Sequence, residues 1–210
     1  MENVLKQRLV CVAVMDDPED AVPLAQALMA GGLNTIEVTF RTEAAAEAIR
    51  RIRRDAPTMT VGAGTVLTPY QAAQAAQAGA QFLVAPGLDE PVLATALARN
   101  LPYIPGVMTP TDIVRALNLK CRLLKFFPAE ASGGVAMLKA LIAPFAHTDV
   151  HFVPTGGITA ATLPAYLALA QVAAVGGSWM AERGLVTQHA WAKITALAAE
   201  AVREMLKAKG

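Results

Sequence analysis

The chain has 210 residues, of which 54% are hydrophobic and 17% charged, and its formal net charge is +1. This composition argues against intrinsic disorder and predicts a globular protein with a substantial core, and the length fits one domain, residues 1–210. The near-zero charge offers no basic field for nucleic acid, since the four arginines between residues 50 and 54 are typical of a solvated helix face.

Short apolar segments alternate with alanine- and leucine-rich segments along the chain. The apolar segments predict strands at 9–15, 35–41, 60–64, 82–85, 103–107, 123–127, 150–154 and 172–175. The other segments predict helices at 18–30, 43–54, 69–78, 90–99, 109–117, 134–143, 161–170 and 188–207. Pairs of this kind, spaced by roughly 25 residues, predict an α/β fold, a (β/α)8 TIM barrel with parallel strands. An open doubly wound sheet is the alternative, but residues 11–17 lack its glycine-rich turn.

A lysine interrupts the apolar strand predicted at 123–127. A run of this length, closed by Pro128, predicts a strand buried on both faces, and alternation turns Leu123, Lys125 and Phe127 to the same side. Burial disfavours the charged ammonium, and a neutral lysine amine can form a Schiff base with a carbonyl compound. For a strand lysine taken alone, reaching solvent or pairing with a carboxylate is the simpler alternative.

Polar residues alternate along the strand predicted at 35–41, which turns Glu37, Thr39 and Arg41 to one face. Active sites of such barrels lie at the carboxyl ends of the strands, so these side chains are candidates for chemistry. Glu37 beside Lys125 could transfer protons, and the planar guanidinium of Arg41 suits a carboxylate. A plain ion pair for Glu37 and a surface salt bridge for Arg41 are the alternatives.

Glycine and proline mark the ends of other predicted strands. Gly62 and Gly64 precede Thr65, where backbone N–H groups could meet a substrate carboxylate, although glycines here also fit tight packing. Pro86 ends the fourth predicted strand, where it predicts a shaped loop.

Two glycine pairs follow the seventh and eighth predicted strands: Gly156-Gly157, and Gly176-Gly177 with Ser178 after it. This is the usual phosphate position of a barrel, because bare N–H groups and a helix N-terminus meet an anion there. One such pair would be only a turn, whereas two in these positions favour a phosphate site.

The two cysteines, Cys11 and Cys121, lie far apart in apolar surroundings, which predicts buried free thiols and fits a reducing cytoplasm. The three histidines lack metal-ligand spacing, so we expect no metal and no cofactor. No apolar run reaches the length of a membrane span, and residues 1–6 lack the pattern of a secretory signal. The expectation is a cytoplasmic protein without membrane or nucleic-acid partners.

Six segments together resemble the 2-keto-3-deoxy-6-phosphogluconate (KDPG) aldolases, which include 4-hydroxy-2-oxoglutarate aldolases. The segments are EVTFRT at 37–42, VGAGTV at 61–66, PGV at 105–107, LKFFPAE at 124–130, PTGGI at 154–158 and VGGSW at 175–179. They agree in order and spacing over essentially the whole chain. One departure is Ala13 in the first strand, where members often have proline.

The resemblance implies a metal-independent class I aldolase, usually a homotrimer, that splits a 2-keto-4-hydroxy acid to pyruvate and an aldehyde, as in the Entner–Doudoroff route. It implies that Lys125 forms the imine, that Glu37 is the general acid/base, and that Arg41 with Thr65 holds the carboxylate. Thr155 matches a position that in the family helps choose the C4 stereochemistry, with threonine typical of the gluconate enzymes. The other expected substrate contacts are Pro86 and Phe127, and the expected phosphate contacts are Gly156, Gly157, Gly177 and Ser178.

Three other functions stay open at this point. A phosphosugar isomerase or epimerase would use Glu37 and Lys125 as a non-covalent acid/base pair, with no adduct to the lysine. A metal-dependent pyruvate aldolase would lose its activity to chelators, and a catalytically silent barrel would not need Lys125. The choice among phosphogluconate, phosphogalactonate and hydroxyoxoglutarate substrates also stays open.

Overall fold

The computed structural model describes residues 6–208, where parallel strands alternate with α-helices. The strands are β1 (Leu9–Ala13), β2 (Thr35–Thr39), β3 (Thr60–Gly64), β4 (Leu83–Val84), β5 (Tyr103–Ile104), β6 (Gly106–Val107), β7 (Leu123–Phe126), β8 (His151–Pro154) and β9 (Val175–Gly177). The helices are α1 (Ala21–Ala30), α2 (Ala45–Asp55), α3 (Pro69–Ala78), α4 (Glu90–Ala98), α5 (Pro110–Asn118), α6 (Gly134–Ile142), α7 (Leu163–Leu167), α8 (Arg183–Thr187) and α9 (Trp191–Lys207). Within the described residues, none of these helices combines the length and apolarity that crossing a membrane requires.

Local sequence fixes the start of three helices. The side chains of Thr68, Asp89 and Thr109 each accept a hydrogen bond from a backbone N–H in the first turn of α3, α4 and α5, and each first turn contains a proline. A side-chain acceptor satisfies one of the free N–H groups, and proline has the helical φ angle already set. The predicted starts of these helices therefore agree closely with the observed ones.

Other helix predictions were wrong at their ends. The helix predicted at 18–30 begins as a 3₁₀ turn, Pro18–Asp20, before α1. The helix predicted at 188–207 begins only at Trp191, and the separate helix α8 before it was not predicted. His189 lies between the two with a φ of 52°, a left-handed conformation that no α-helix continues through. The helix predicted at 161–170 shortens to α7.

The strands form a six-stranded sheet in the order β5-β4-β3-β2-β1-β9 and a three-stranded sheet in the order β6-β7-β8. The single strand predicted at 103–107 was wrong: Pro105, which has no N–H to donate, separates β5, paired with β4, from β6, paired with β7. The strand predicted at 172–175 was also displaced, since β9 starts at Val175 and Val172 makes only an isolated bridge to Phe152. A second isolated bridge joins Thr155 to Gly176, between the ends of β8 and β9.

Apolar side chains fill both faces of the strands. The larger cluster includes Leu124 and Phe126 of β7 and packs the strands against the helices. A smaller cluster on the other face has Val10, Phe82, Val84, Ile104, Val153 and Ala174 as its members, with Leu123 packed against it. The predicted alternation along β7 is therefore confirmed, and Lys125 follows Leu123 on the face away from the helices.

Gly62 makes room for the largest member of the smaller cluster. A Cβ atom at position 62 would overlap the aromatic ring of Phe82, which is almost completely buried. The glycines of β3 thus serve close packing at this position, one of the two interpretations that the sequence allowed.

We expect Gly62→Ala to lower the free energy of unfolding by about 1–3 kcal/mol, because the added methyl group must displace a buried ring. Urea denaturation followed by circular dichroism measures the change. Gly184→Ala is the matched control, since a Cβ there meets no atom within 4 Å and Gly184 lies in α8, where it should cost nothing. Equal stability of Gly62→Ala and the unmodified protein would contradict the packing argument.

Candidate active site

A cavity of about 370 Å³ opens at the carboxyl ends of the strands. It brings together all eleven residues that the sequence singled out as site residues: Glu37, Arg41, Thr65, Pro86, Lys125, Phe127, Thr155, Gly156, Gly157, Gly177 and Ser178. Val12, Thr39 and Ile158 also line it. Thr39 lies on the polar face of β2 and Ile158 ends the family segment at 154–158, whereas nothing in the sequence singled out Val12.

A larger cavity of about 630 Å³ lies at the opposite, amino ends of the strands, lined partly by Arg8, Arg122 and His151. Its cations are already engaged: Arg8 donates to two backbone carbonyls, and Arg122 forms an ion pair with Asp149 at 2.7 Å. The smaller cavity is therefore the better candidate for chemistry, since its polar groups converge on an enclosed space at the carboxyl ends of parallel strands.

Lys125 and Glu37 form a buried pair at the base of the smaller cavity. The residues are only 5% and 3% exposed, and Lys125 Nζ lies 3.4 Å from Glu37 Oε1. Lys125 Nζ also lies 5.2 Å from the centroid of the Phe127 ring, whose π face favours a cation. The amine thus has one carboxylate and one aromatic neighbour in a space that only a small ligand could share.

The neighbouring strands leave room for the Glu37 carboxylate because one of them has a glycine beside it. Glu37 pairs with Val12 of β1 and Gly62 of β3, and a Cβ atom at Gly64 would overlap the Glu37 side chain. Behind β1, burial first and the Glu37 carboxylate second raise the pKa of the Cys11 thiol to about 12. Cys11 is therefore a neutral thiol at physiological pH, which fits the predicted buried free thiol.

Thr39 links Arg41 to the neighbouring strand. Its hydroxyl donates to the carbonyl of Ala13 at 3.1 Å and accepts from Arg41 Nε at 3.3 Å. Arg41 itself is exposed at the rim of the cavity, so this contact limits where the guanidinium can point. An orienting role for Thr39 follows from the geometry, and the sequence alone did not reveal it.

Thr65 has an unusual backbone conformation. Its φ is 54°, a left-handed value that is rare for a β-branched residue and costs free energy. The residue directly follows β3 and lines the cavity. Strain of this kind collects at functional sites, where the surrounding structure holds it in place.

The loop after β8 contributes backbone rather than side chains. Gly156 and Gly157 have φ values of 106° and 77°, which non-glycine residues rarely adopt. Ser178, after β9, lies exposed at the same end of the cavity. Among residues 6–208, no three His, Cys, Asp or Glu side chains come together as a metal site.

A buried lysine amine beside a buried carboxylate, at the carboxyl ends of parallel strands, is the arrangement of an enzyme that can form a Schiff base with a carbonyl substrate. The sequence comparison identifies the family. The family described as "KDPG and KHG aldolase" matches residues 1–197, and the chain belongs to it.

Curated relatives similar to the chain are named as aldolases. The chain is 46% identical to the KHG/KDPG aldolase of Escherichia coli (strain K12) over 92% of this chain and 90% of that protein. It is also 46% identical to the 2-dehydro-3-deoxy-phosphogluconate aldolase of Treponema pallidum (strain Nichols), over 96% and 95% of the two chains.

Solved structures of related proteins share the fold. A KDPG aldolase from Legionella pneumophila, solved with pyruvate captured at low pH as a covalent carbinolamine intermediate, has a TM-score of 0.87 and 40% identity and covers 91% of this chain and 92% of its own. The aldolase of Zymomonas mobilis ZM4, solved with 3-phosphoglycerate, has a TM-score of 0.86 and 43% identity over 95% and 93% of the two chains.

We expect Lys125→Met to lower the free energy of unfolding by about 2 kcal/mol, because it leaves the Glu37 carboxylate buried without its partner. Adding Glu37→Gln removes that stranded charge, so the double variant should be more stable than Lys125→Met alone. Urea unfolding of the two single variants and the double variant measures the coupling. If the double variant lost the sum of the unfolding free energies that the two single variants lose, the two side chains would not interact.

Proposed function

We propose that the chain is a class I aldolase that cleaves 2-keto-3-deoxy-6-phosphogluconate to pyruvate and glyceraldehyde 3-phosphate. The same chemistry extends to 4-hydroxy-2-oxoglutarate, which would give pyruvate and glyoxylate. The observation that carries the proposal is the buried Lys125–Glu37 pair, separated by 3.4 Å. The covalent pyruvate carbinolamine of the Legionella protein supports it, since that structure is similar over most of the chain.

The reaction begins at the ketone carbon of the substrate. With its proton transferred to Glu37, the neutral amine of Lys125 attacks C2. Glu37 then returns that proton to the departing hydroxyl, so the carbinolamine loses water and leaves a protonated imine. Glu37 then takes the proton of the C4 hydroxyl, the C3–C4 bond breaks, and its electrons move towards the imine nitrogen. The aldehyde leaves, the resulting enamine is protonated at C3, and water hydrolyses the imine to release pyruvate. No step needs an oxidant or a metal.

The two ends of the substrate meet different parts of the cavity. Arg41 and Thr65 bind the carboxylate next to the ketone, where a planar guanidinium can donate two parallel hydrogen bonds. Gly156, Gly157, Gly177 and Ser178 bind the phosphate through N–H groups and a hydroxyl.

Pro86 and Phe127 form the walls on either side of the reacting carbons. Thr155, buried at the base of the cavity, contacts the substrate near C4 and influences which C4 configuration is accepted. Among residues 6–208, the one hydrogen bond of its hydroxyl is long, 3.4 Å to the carbonyl of Val153, which leaves it able to contact substrate.

The proposal includes the architecture and the assembly. The two sheets form a single-domain (β/α)8 barrel, in which the separate strands β5 and β6 together occupy the fifth strand position and the Thr155–Gly176 bridge closes the ring. A cytoplasmic homotrimer is the proposed assembly. Its support is a set of exposed large apolar side chains that a partner could cover: Leu67, Tyr70, Leu97, Met108 and Val114.

Borohydride reduction tests the covalent step. We expect incubation with pyruvate and borohydride to inactivate the protein and to add a reduced pyruvyl group to Lys125, because reduction converts the imine to a stable secondary amine. Peptide mass spectrometry locates the adduct. Lys125→Arg, which keeps a cation but loses the nucleophilic amine, is the control and should form none. An unmodified Lys125 in an active protein would favour the isomerase or epimerase alternative.

Arg41→Lys tests the carboxylate site. We expect the KM for the phosphorylated substrate to rise about tenfold while kcat changes less, because a lysine cannot reproduce the bidentate guanidinium contact. Steady-state kinetics separates the two constants. Arg183→Lys is the matched control, since Arg183 does not line the cavity and is held in an ion pair with Asp16, so KM should stay unchanged. Equal KM values for the Arg41 variant and the unmodified protein would remove Arg41 from the site.

A further inference from the structure

The loop that carries Gly156 and Gly157 is held by the segment that follows the lysine strand. The N–H of Ala129 donates to the carbonyl of Thr155 at 2.8 Å, and the N–H of Glu130 donates to the carbonyl of Gly156 at 3.0 Å. Both peptide units of the loop are therefore fixed from the side away from the cavity.

These two bonds decide where the glycine N–H groups point. In a planar trans peptide the carbonyl and the N–H of one unit point in opposite directions. The carbonyls of Thr155 and Gly156 face the 129–130 segment, so the N–H groups of Gly156 and Gly157 face the cavity that both residues line. Within residues 6–208, neither N–H has an acceptor on the protein. Both N–H groups are therefore free to donate a hydrogen bond to a ligand in the cavity.

Glu130 has its own anchor. The hydroxyl of Tyr166, a fully buried residue of α7, donates to Glu130 Oε1 at 2.7 Å. Burial first, and then the neighbouring Glu130 carboxylate, raise the pKa of Tyr166, so the hydroxyl stays protonated and remains a donor. Gly157 packs closely on Glu130, since a Cβ at position 157 would lie 2.8 Å from Glu130 Cβ. The position of Glu130 therefore sets the position of the glycine loop.

We propose that Tyr166 and Glu130 are positioning residues for the phosphate end of the substrate: the hydrogen bond between them fixes the 129–130 segment, which aims the N–H groups of Gly156 and Gly157. The same bond holds the Glu130 carboxylate against α7. This inference rests on the proposed function. It adds two residues to the site, one of them distant from the substrate and neither a lining residue of the cavity.

Tyr166→Phe tests the inference, because it removes the hydroxyl and little else. Two activities are measured: kcat/KM for cleavage of the phosphorylated substrate, and exchange of the pyruvate methyl protons with D2O followed by NMR. The exchange needs the imine and a proton acceptor but no phosphate contact. We expect kcat/KM to fall about tenfold, the effect of losing one charge-assisted hydrogen bond, while the exchange rate stays unchanged. A loss in both activities, or in neither, would overturn the inference.

Two further variants keep the test decisive if Tyr166→Phe folds poorly. Glu130→Ala should give the same selective loss, whereas Glu130→Gln keeps an acceptor for the hydroxyl and should stay near the unmodified protein. An unchanged kcat/KM in Glu130→Ala would also overturn the inference. Tyr103→Phe is the matched control, since it removes another buried tyrosine hydroxyl, which donates to the Gly87 carbonyl, and should leave the ratio of the two activities unchanged.

The unmodified protein separates this inference from the proposed function. Absence of pyruvate exchange in the unmodified protein would refute the Schiff-base mechanism itself. Normal exchange and cleavage, with no selective loss in the variants, would leave the mechanism intact and refute only the roles of Tyr166 and Glu130.

Discussion

The structure depends on a lysine amine and a carboxylate enclosed together in a small cavity. Neither group could be buried alone without a large cost, because each loses its hydration. Together they stabilise each other across 3.4 Å, and the backbone around them is adapted to this arrangement. Gly64 leaves the space that the carboxylate occupies, and Phe127 places its ring beside the amine. The face of β7 that carries Lys125 would otherwise continue as an apolar core.

The two ends of the cavity present different polar groups: charged side chains at one end and backbone N–H groups at the other. Charged side chains lie at the end where a keto acid would react, and Thr39 orients the arginine there through a contact with β1. The other end relies on amide N–H groups of a glycine loop. A backbone N–H group has no rotatable side chain, so its direction depends on the hydrogen bonds that hold the peptide units of the loop. This is the basis of the role proposed for Tyr166, which acts on the glycine loop through Glu130 and not on the substrate.

Several features could be predicted because they depend on residues close together in sequence. Alternation along β2 and β7 placed Glu37 and Lys125 on the inner faces, and the caps at Thr68, Asp89 and Thr109 set helix starts. The family resemblance, carried by six short segments, predicted the candidate site residues, and all of them line one cavity. The errors arose where a local pattern had two outcomes. Pro105 could bend a strand or divide it. The apolar residues at 172–175 could all belong to one strand or, as observed, join a strand only from Val175.

The sequence by itself determined the parallel α/β class, the family and the residues that line one cavity, because strand periodicity, helix caps and short motifs are local properties. The tertiary structure alone decided which distant groups meet. The 3.4 Å contact of residues 37 and 125, the bond from Thr39 to the carbonyl of Ala13, and the bond from Tyr166 to Glu130 all join segments brought together by packing. Such contacts depend on the register between strands and on the packing of α7, which no single segment encodes.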